Sequence, residues 1–244
     1  MNKRIFISHG DKGGVGKSMT ATVLVERLLQ DGYSVALVEG DPSQPDVGVR
    51  YAGDQRITLG ALPLNRAGDA DAAVGELSYW LESEAGEQVV INLPAGASET
   101  LDALAPFLRE VADALEYDLY VSYSLGKGDA PTAGLIKSLK SGLLSFVNED
   151  KRIVLYPAFQ GKPEDFAWFS HKARKEFKVQ EAIMPAIANR NTLNKLLVTR
   201  GAIGDLAGIG GADGWMIADR IGIKRWLGEA TTAVNPLFVE GETL

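Results

Sequence analysis

The sequence predicts a doubly wound α/β fold, a mostly parallel sheet with helices on both faces. Short apolar runs rich in β-branched residues recur along the chain, and most intervals between them hold a helix-length pattern. The first run also passes through a glycine-rich turn straight into the first helix. Continuous apolar runs suit strands buried on both faces of a parallel sheet, and parallel neighbours need a crossover, usually a helix.

In chain order, Arg4–Ser8 (RIFIS) reads as a strand and Lys17–Gln30 as the first helix. Ser34–Val38 (SVALV) is the second strand. Asp46 to Asn65 carries Gly48, Gly53, Gly60 and Pro63 and reads as a long excursion before a helix at Asp71–Glu84. Gln88–Asn92 (QVVIN) is a strand, Glu99–Leu115 a helix, Asp118–Ser122 (DLYVS) a strand and Pro131–Val147 a helix. The strand Arg152–Tyr156, the helix Glu164–Lys178, the strand Gln180–Ile187 and the helix Thr192–Thr199 follow. Gly201–Gly214 is glycine-rich and reads as a flexible loop before a last helix at Trp215–Leu227. Short polar connections and the lack of a Ser/Pro-rich linker point to one domain spanning residues 1–244.

Composition narrows the function classes. With 45% hydrophobic and 23% charged residues, the chain can bury a sizeable core, which excludes disorder. No apolar run approaches the ~20 residues that span a bilayer, and the apolar part of the N-terminus is too short for a secretory signal. The expectation is a soluble, cytoplasmic protein. Zero cysteines exclude disulfides, thiolate metal sites and iron–sulfur clusters. A net charge of −7 argues against a strongly basic nucleic-acid binder but leaves room for local basic patches.

The most specific pattern is Asp11-Lys12-Gly13-Gly14-Val15-Gly16-Lys17-Ser18, between the first strand and the first helix. Glycines let the backbone wrap closely, so that successive N–H groups face phosphate oxygens beside a helix N-terminus. Lys17 is expected to reach the β- and γ-phosphates, and the Ser18 hydroxyl to ligate Mg²⁺. The expected nucleotide cradle runs from Asp11 to Met19.

The usual phosphate loop begins with glycine, and this chain has Asp11 there, followed by Lys12. That arrangement resembles the deviant Walker A motif of the ParA/MinD family of P-loop ATPases. The resemblance implies Mg²⁺-ATP as ligand and a homodimer formed on ATP binding. Lys12 would then reach across to the partner's nucleotide, a positive charge supplied in trans. Ser34–Asp41 followed by Pro42 resembles the family's second acidic motif, which implies that Asp41 aligns the attacking water near Mg²⁺. Glu39 stands where many members have another Asp, and acts behind Asp41. Val89–Gly96 resembles the family's Walker B strand and switch, except that Asn92 replaces the Asp that holds a metal-bound water. An Asn oxygen still accepts a hydrogen bond but supplies no charge. Slow hydrolysis is therefore expected, and Asn92→Asp is expected to tighten Mg²⁺ binding. Gly96 could offer the γ-phosphate a backbone N–H.

Beyond Gly96 the resemblance is architectural. Tyr156-Pro157 and Asn189-Arg190 stand in plausible places for base recognition without being assignable. Two basic clusters, Lys172/Arg174/Lys175/Lys178 and Arg190/Lys195/Arg200, are candidates for nonspecific DNA contact, although such clusters are commonly solvated helix faces. Ile223-Lys224-Arg225-Trp226-Leu227 reads as a surface helix rather than a membrane anchor, so membrane binding is not expected. His9 and His171 read as structural. The family implies a protein adaptor, with plasmid or chromosome partition or DNA transfer as the role. Two other readings stay open: a nucleotide-gated switch or scaffold with little hydrolysis, and an ATP-dependent biosynthetic enzyme of the dethiobiotin synthetase type.

Overall fold

The computed structural model describes residues 2–10, 12–64, 70–208 and 213–239, apart from the side chains of residues 70 and 97–99. In order they form β1 (Lys3–His9), α1 (Lys17–Gln30), β2 (Val35–Glu39), α2 (Asp46–Tyr51), β3 (Ile57–Ala61), α3 (Ala70–Ser83) and β4 (Gln88–Asn92). Then come α4 (Ala97–Ala114), β5 (Tyr117–Ser124), α5 (Asp129–Ser141), β6 (Arg152–Pro157), α6 (Ala167–Ser170) and α7 (Ala173–Phe177). The chain continues through β7 (Gln180–Met184), α8 (Arg190–Val198), α9 (Ile203–Leu206) and α10 (Ile217–Val234).

All seven strands are parallel, in the order β3-β2-β4-β1-β5-β6-β7. Alternate side chains of each central strand enter opposite cores, as the two-residue period requires. Ile5 and Ile7 of β1 pack with α3, α4 and α5 on one face, while Phe6 packs with α1, α9 and α10 on the other. The chain winds outward from β1 to β2 and β3, returns through β4, and then crosses to β5, β6 and β7. The reversal on either side of β1 opens a crevice at the carboxyl edge, where open α/β sheets bind ligands.

The excursion at 46–65 is a correction. Its described part holds α2 and an edge strand, β3, that the apolar pattern did not reveal. Four of the five β3 residues are at least partly exposed, so an edge strand here needs little hydrophobicity. The helix expected over Pro131–Val147 ends at Ser141, and a 3₁₀ turn follows at Leu143–Phe146. The Asp102 carboxylate from α4 stops it by accepting the Leu143 N–H at 2.7 Å. Glu164–Lys178 is likewise a 3₁₀ turn and two short helices, and β7 ends at Met184 because Pro185 has no N–H to pair. Gly201–Gly214 contains α9, while residues 209–212 and the acidic tail at 240–244 lie outside the described residues.

Candidate functional site

The first strand ends buried, and residues 12–16 lead into α1. Gly16 caps α1 in the left-handed region, with φ of 95°, which only glycine adopts without strain. An added Cβ would also stand 3.3 Å from the Phe159 ring, which overhangs the loop from beyond β6. The Ser8 hydroxyl donates to the Lys17 carbonyl at 2.8 Å, and the Thr22 hydroxyl donates to the Ser18 carbonyl at 2.8 Å. The Ser8 bond holds the start of α1 against the sheet, and the Thr22 bond braces its first turn. The Lys17 ammonium donates to the Lys12 carbonyl at 2.7 Å, folding the loop around its own cation.

A cleft of about 370 Å³ lies over this loop. It brings together Gly13, Gly14, Gly16, Lys17, Ser18, Met19, Asp41 and Asn92 from the expected set. Val15 turns instead into a neighbouring pocket, and the Lys12 side chain is exposed beside the loop. Gly96 caps α4 with φ of 82°, directly after Ala95, which does line the cleft. Asp11 lies outside the described residues. Asp46, Ala95 and Phe159 also line the cleft and were missed. Ala95 lies within the Walker B-like stretch but was not singled out, whereas Asp46 sits on the unrecognised α2 and Phe159 follows a strand end that no motif marks.

Asp41 follows β2 at the cleft wall. Its Oδ1 accepts the Ser43 N–H at 3.0 Å and the Ser43 hydroxyl at 2.5 Å, an Asx-type turn that fixes the carboxylate. Between the two strand ends, Gly40 donates its N–H to the Asn92 carbonyl at 2.9 Å. A Cβ on Gly40 would come within 2.7 Å of the Pro94 ring, so the β2 and β4 loops meet only through glycine.

The parallel register sets Glu39 beside Asn92. Both are buried. The Asn92 amide donates to Glu39 Oε2 at 2.8 Å, and the Gly48 N–H of α2 donates to Glu39 Oε1 at 2.5 Å. Burial pushes the Glu39 carboxyl above its ordinary range, against the opposing pull of these donors. Asn92 Oδ1 is buried without a hydrogen-bond partner.

Beside the cleft lies an apolar pocket of about 140 Å³ between Val15, Met19, Pro157, Met184, Ile187 and Trp226. The Trp226 ring is fixed by its indole N–H, which donates to the Pro185 carbonyl at 2.9 Å. Of the two places considered for base recognition, Pro157 lines this pocket. Tyr156 is buried and bonded to Glu181, and Asn189 caps α8 by accepting the Asn191 and Thr192 N–H groups.

The remaining expectations divide. His9 is buried, with Nε2 3.6 Å from Asp102 and 3.4 Å from the Ser138 hydroxyl, and His171 Nδ1 accepts the Ala173 N–H, so both are structural. Arg174 pairs with Glu181 at 2.8 Å, and Lys195 pairs with Asp219 while donating to the Gly214 carbonyl. Arg174 and Lys195 thus drop out as ready phosphate contacts, whereas Lys172, Lys175, Lys178, Arg190 and Arg200 are exposed. Ile223, Trp226 and Leu227 of α10 are buried in the core, so the apolar face of the segment considered as a membrane anchor is turned inward. Among the described residues no helix is long and apolar enough to cross a membrane. No group of three His, Cys, Asp or Glu among them could hold a metal ion. The oxygens at hand, those of the Ser18 hydroxyl, the Asp41 carboxylate and the buried, unpartnered Asn92 carboxamide, are hard oxygens of the kind Mg²⁺ prefers.

The sequence model of the CobQ/CobB/MinD/ParA nucleotide binding domain, CbiA, matches residues 6–199. Protein MobD of Acidithiobacillus ferrooxidans is 26% identical over 247 residues, covering 98% of this chain and all of the relative. The septum site-determining protein MinD of Pyrococcus horikoshii OT3, solved with Mg-ADP, superposes with a TM-score of 0.50 at 15% identity. That match covers 91% of this chain and 94% of the other. A nucleotide-binding protein of Archaeoglobus fulgidus solved with ADP matches at a TM-score of 0.47 and 15% identity, covering 80% and 85%.

Proposed function

This chain belongs to the CobQ/CobB/MinD/ParA nucleotide-binding domain family, and from that premise we propose that it is a Mg²⁺-ATP-dependent switch that dimerises on nucleotide and hydrolyses it slowly. The single observation that carries this reading is the convergence of Lys17, Ser18, Asp41 and Asn92 on one cleft above a glycine-shaped loop. All 244 residues act as one nucleotide-binding domain in this reading.

On ATP binding, the Lys17 ammonium exchanges the Lys12 carbonyl for phosphate oxygens, and the loop N–H groups from Gly13 to Met19 face the phosphates. The apolar pocket beside Val15 and Trp226 takes the nucleobase. Ser18, Asp41 and Asn92 would hold Mg²⁺ directly or through water, and its charge would neutralise the phosphates. Asp41, its orientation set by Ser43, aligns a water whose oxygen bonds to the γ-phosphorus as the bond to the β–γ bridging oxygen breaks. The exposed Lys12 supplies positive charge to the partner's nucleotide, where negative charge redistributes. Asn92, neutral where the family has an acid, favours slow turnover and keeps the low-hydrolysis scaffold as the second reading.

Light scattering with a slowly hydrolysed ATP analogue tests the switch. Wild type should shift to a dimer, and Lys12→Ala should stay monomeric while binding nucleotide normally. Asp41→Ala should stop hydrolysis and accumulate the ATP-bound dimer, because ground-state binding rests mainly on the phosphate loop. A wild type that is monomeric under every nucleotide condition would refute the trans role of Lys12.

The role in DNA partition or transfer, with a protein adaptor, rests on the family. If DNA is bound, phosphate contacts release counterions, so affinity in the ATP state should fall steeply with salt. Reversing the charges of Arg190 and Arg200 should remove that binding. Lys195→Ala should act mainly through stability, because its ammonium is already engaged by Asp219. A nucleotide-independent, salt-insensitive interaction would exclude this assignment.

A further inference from the structure

We propose that Glu39 is a positioning residue that locks the Asn92 carboxamide at the wall of the phosphate cleft, its nitrogen held by Glu39 and its oxygen left unpartnered, so that an asparagine does the acceptor work of a carboxylate. The inference rests on the nucleotide reading of the cleft. An Asn side chain has two faces, an accepting oxygen and a donating nitrogen, and can turn either one forward. A carboxylate only accepts, so the Asn92 atom 2.8 Å from Glu39 Oε2 must be the nitrogen. Glu39 cannot readily turn away, because its other oxygen accepts the Gly48 N–H at 2.5 Å. Gly48 matters here through what it lacks. A Cβ there would crowd the Glu39 Cγ at 3.1 Å, so glycine permits α2 to come this close. The strand register aligns Glu39 with Asn92, and the buried, partnerless Oδ1 is what the lock leaves over.

That oxygen is buried and lacks a donor here, so a metal-bound water would satisfy it only once a bound nucleotide opens the cleft wall, while Glu39 holds the amide nitrogen on its other side. The arrangement also revises the expectation for Asn92→Asp. A carboxylate at that position would face the Glu39 carboxylate across the present hydrogen bond, and like charges so close repel. Glu39→Gln acts differently. The Gly48 N–H still requires an oxygen, so the Gln nitrogen takes the Asn92 side and donates. Asn92 must then turn over and put its NH₂ where its oxygen now stands. Combining Glu39→Gln with Asn92→Asp restores a donor facing an acceptor and leaves a true carboxylate oxygen in that place.

The test is a double-mutant cycle on the full chain, read by thermal unfolding without nucleotide and by calorimetric ADP affinity with and without Mg²⁺. Asn92→Asp alone should lower the melting temperature by several degrees and fail to tighten Mg²⁺·ADP. Glu39→Gln alone should keep the fold but lose Mg²⁺-dependent affinity about tenfold, the scale seen when a partner behind a metal ligand is removed. The double variant should recover the melting temperature and bind Mg²⁺·ADP at least as tightly as wild type. Additive single effects on melting, or Glu39→Gln with unchanged Mg²⁺ dependence, would overturn the lock. Wild type that does not bind Mg²⁺·ADP would overturn the nucleotide reading instead, while the melting cycle still decides the Glu39–Asn92 pairing.

Discussion

Lys17→Ala should weaken ATP binding by at least about tenfold and leave the fold intact. The Lys17 side chain is 6% exposed, and its ammonium already sits in the loop, 2.7 Å from the Lys12 carbonyl. Exchanging that carbonyl for phosphate oxygens replaces a bond to a neutral acceptor with one to a charged group. Bonds to charged groups contribute about 1.5–3 kcal/mol, and about 1.4 kcal/mol corresponds to a tenfold change in affinity. The backbone around it should hold, because the Ser8 hydroxyl bonds the Lys17 carbonyl and not its side chain. Calorimetry on the folded variant decides the matter. Unchanged affinity would mean that the nucleotide does not use this loop.

Glu26→Ala should destabilise the protein by about 3 kcal/mol or more, at a residue far from any motif. Glu26 is 1% exposed on α1, and its carboxylate accepts the Ile203 N–H at 2.6 Å, the Gly204 N–H at 2.9 Å and the Tyr51 hydroxyl at 2.8 Å. It therefore ties α1 to α2 and to the start of α9. Truncation leaves three donors without an acceptor, and each such group costs about 1–3 kcal/mol, less where water enters. For a chain of this size about 3 kcal/mol corresponds to roughly 6–12 °C in Tm, which thermal unfolding would reveal. A change under a degree would mean that the network is dispensable.

The pH dependence of stability offers a second reading of the same residue. Burial pushes the Glu26 carboxyl above 4.5, its ordinary value, against the pull of its hydrogen bonds. The native state therefore binds a proton more readily than the unfolded chain. Glu26's contribution is fullest below pH 4.5 and declines as the pH rises toward the raised native value. Wild type minus Glu26→Gln should show that downward slope with rising pH.

The glycine-rich loop was legible as a motif because its pattern is local. Eight consecutive residues carry the glycines, the lysine and the hydroxyl, and the flanking strand and helix announce themselves by their periods. The central strands were legible for a related reason, since each is apolar on both faces. β3 was not, because an edge strand exposed along most of its length needs few apolar residues. The break after Ser141 was hidden too, because the Asp102 carboxylate that causes it is distant in sequence and joins only when α4 and α5 pack.

The sequence by itself determined the nucleotide-binding family, the winding of the sheet and the residues Lys17, Ser18, Asp41 and Asn92 as candidates. It also exposed Asn92 as a departure, since a neutral residue in an acidic motif is visible without coordinates. What only the tertiary structure decided is which way that side chain is held. The sequence alone leaves an Asn with two equivalent faces, and its choice depends on what stands opposite. Strand register set Glu39 there, and the Gly48 N–H held its second oxygen. In the same way Arg174 and Lys195 looked like free cations until folding brought Glu181 and Asp219 to them. Motifs record which groups a chain owns, whereas hydrogen bonding and ion pairing depend on separations of a few ångströms that only the packed chain defines.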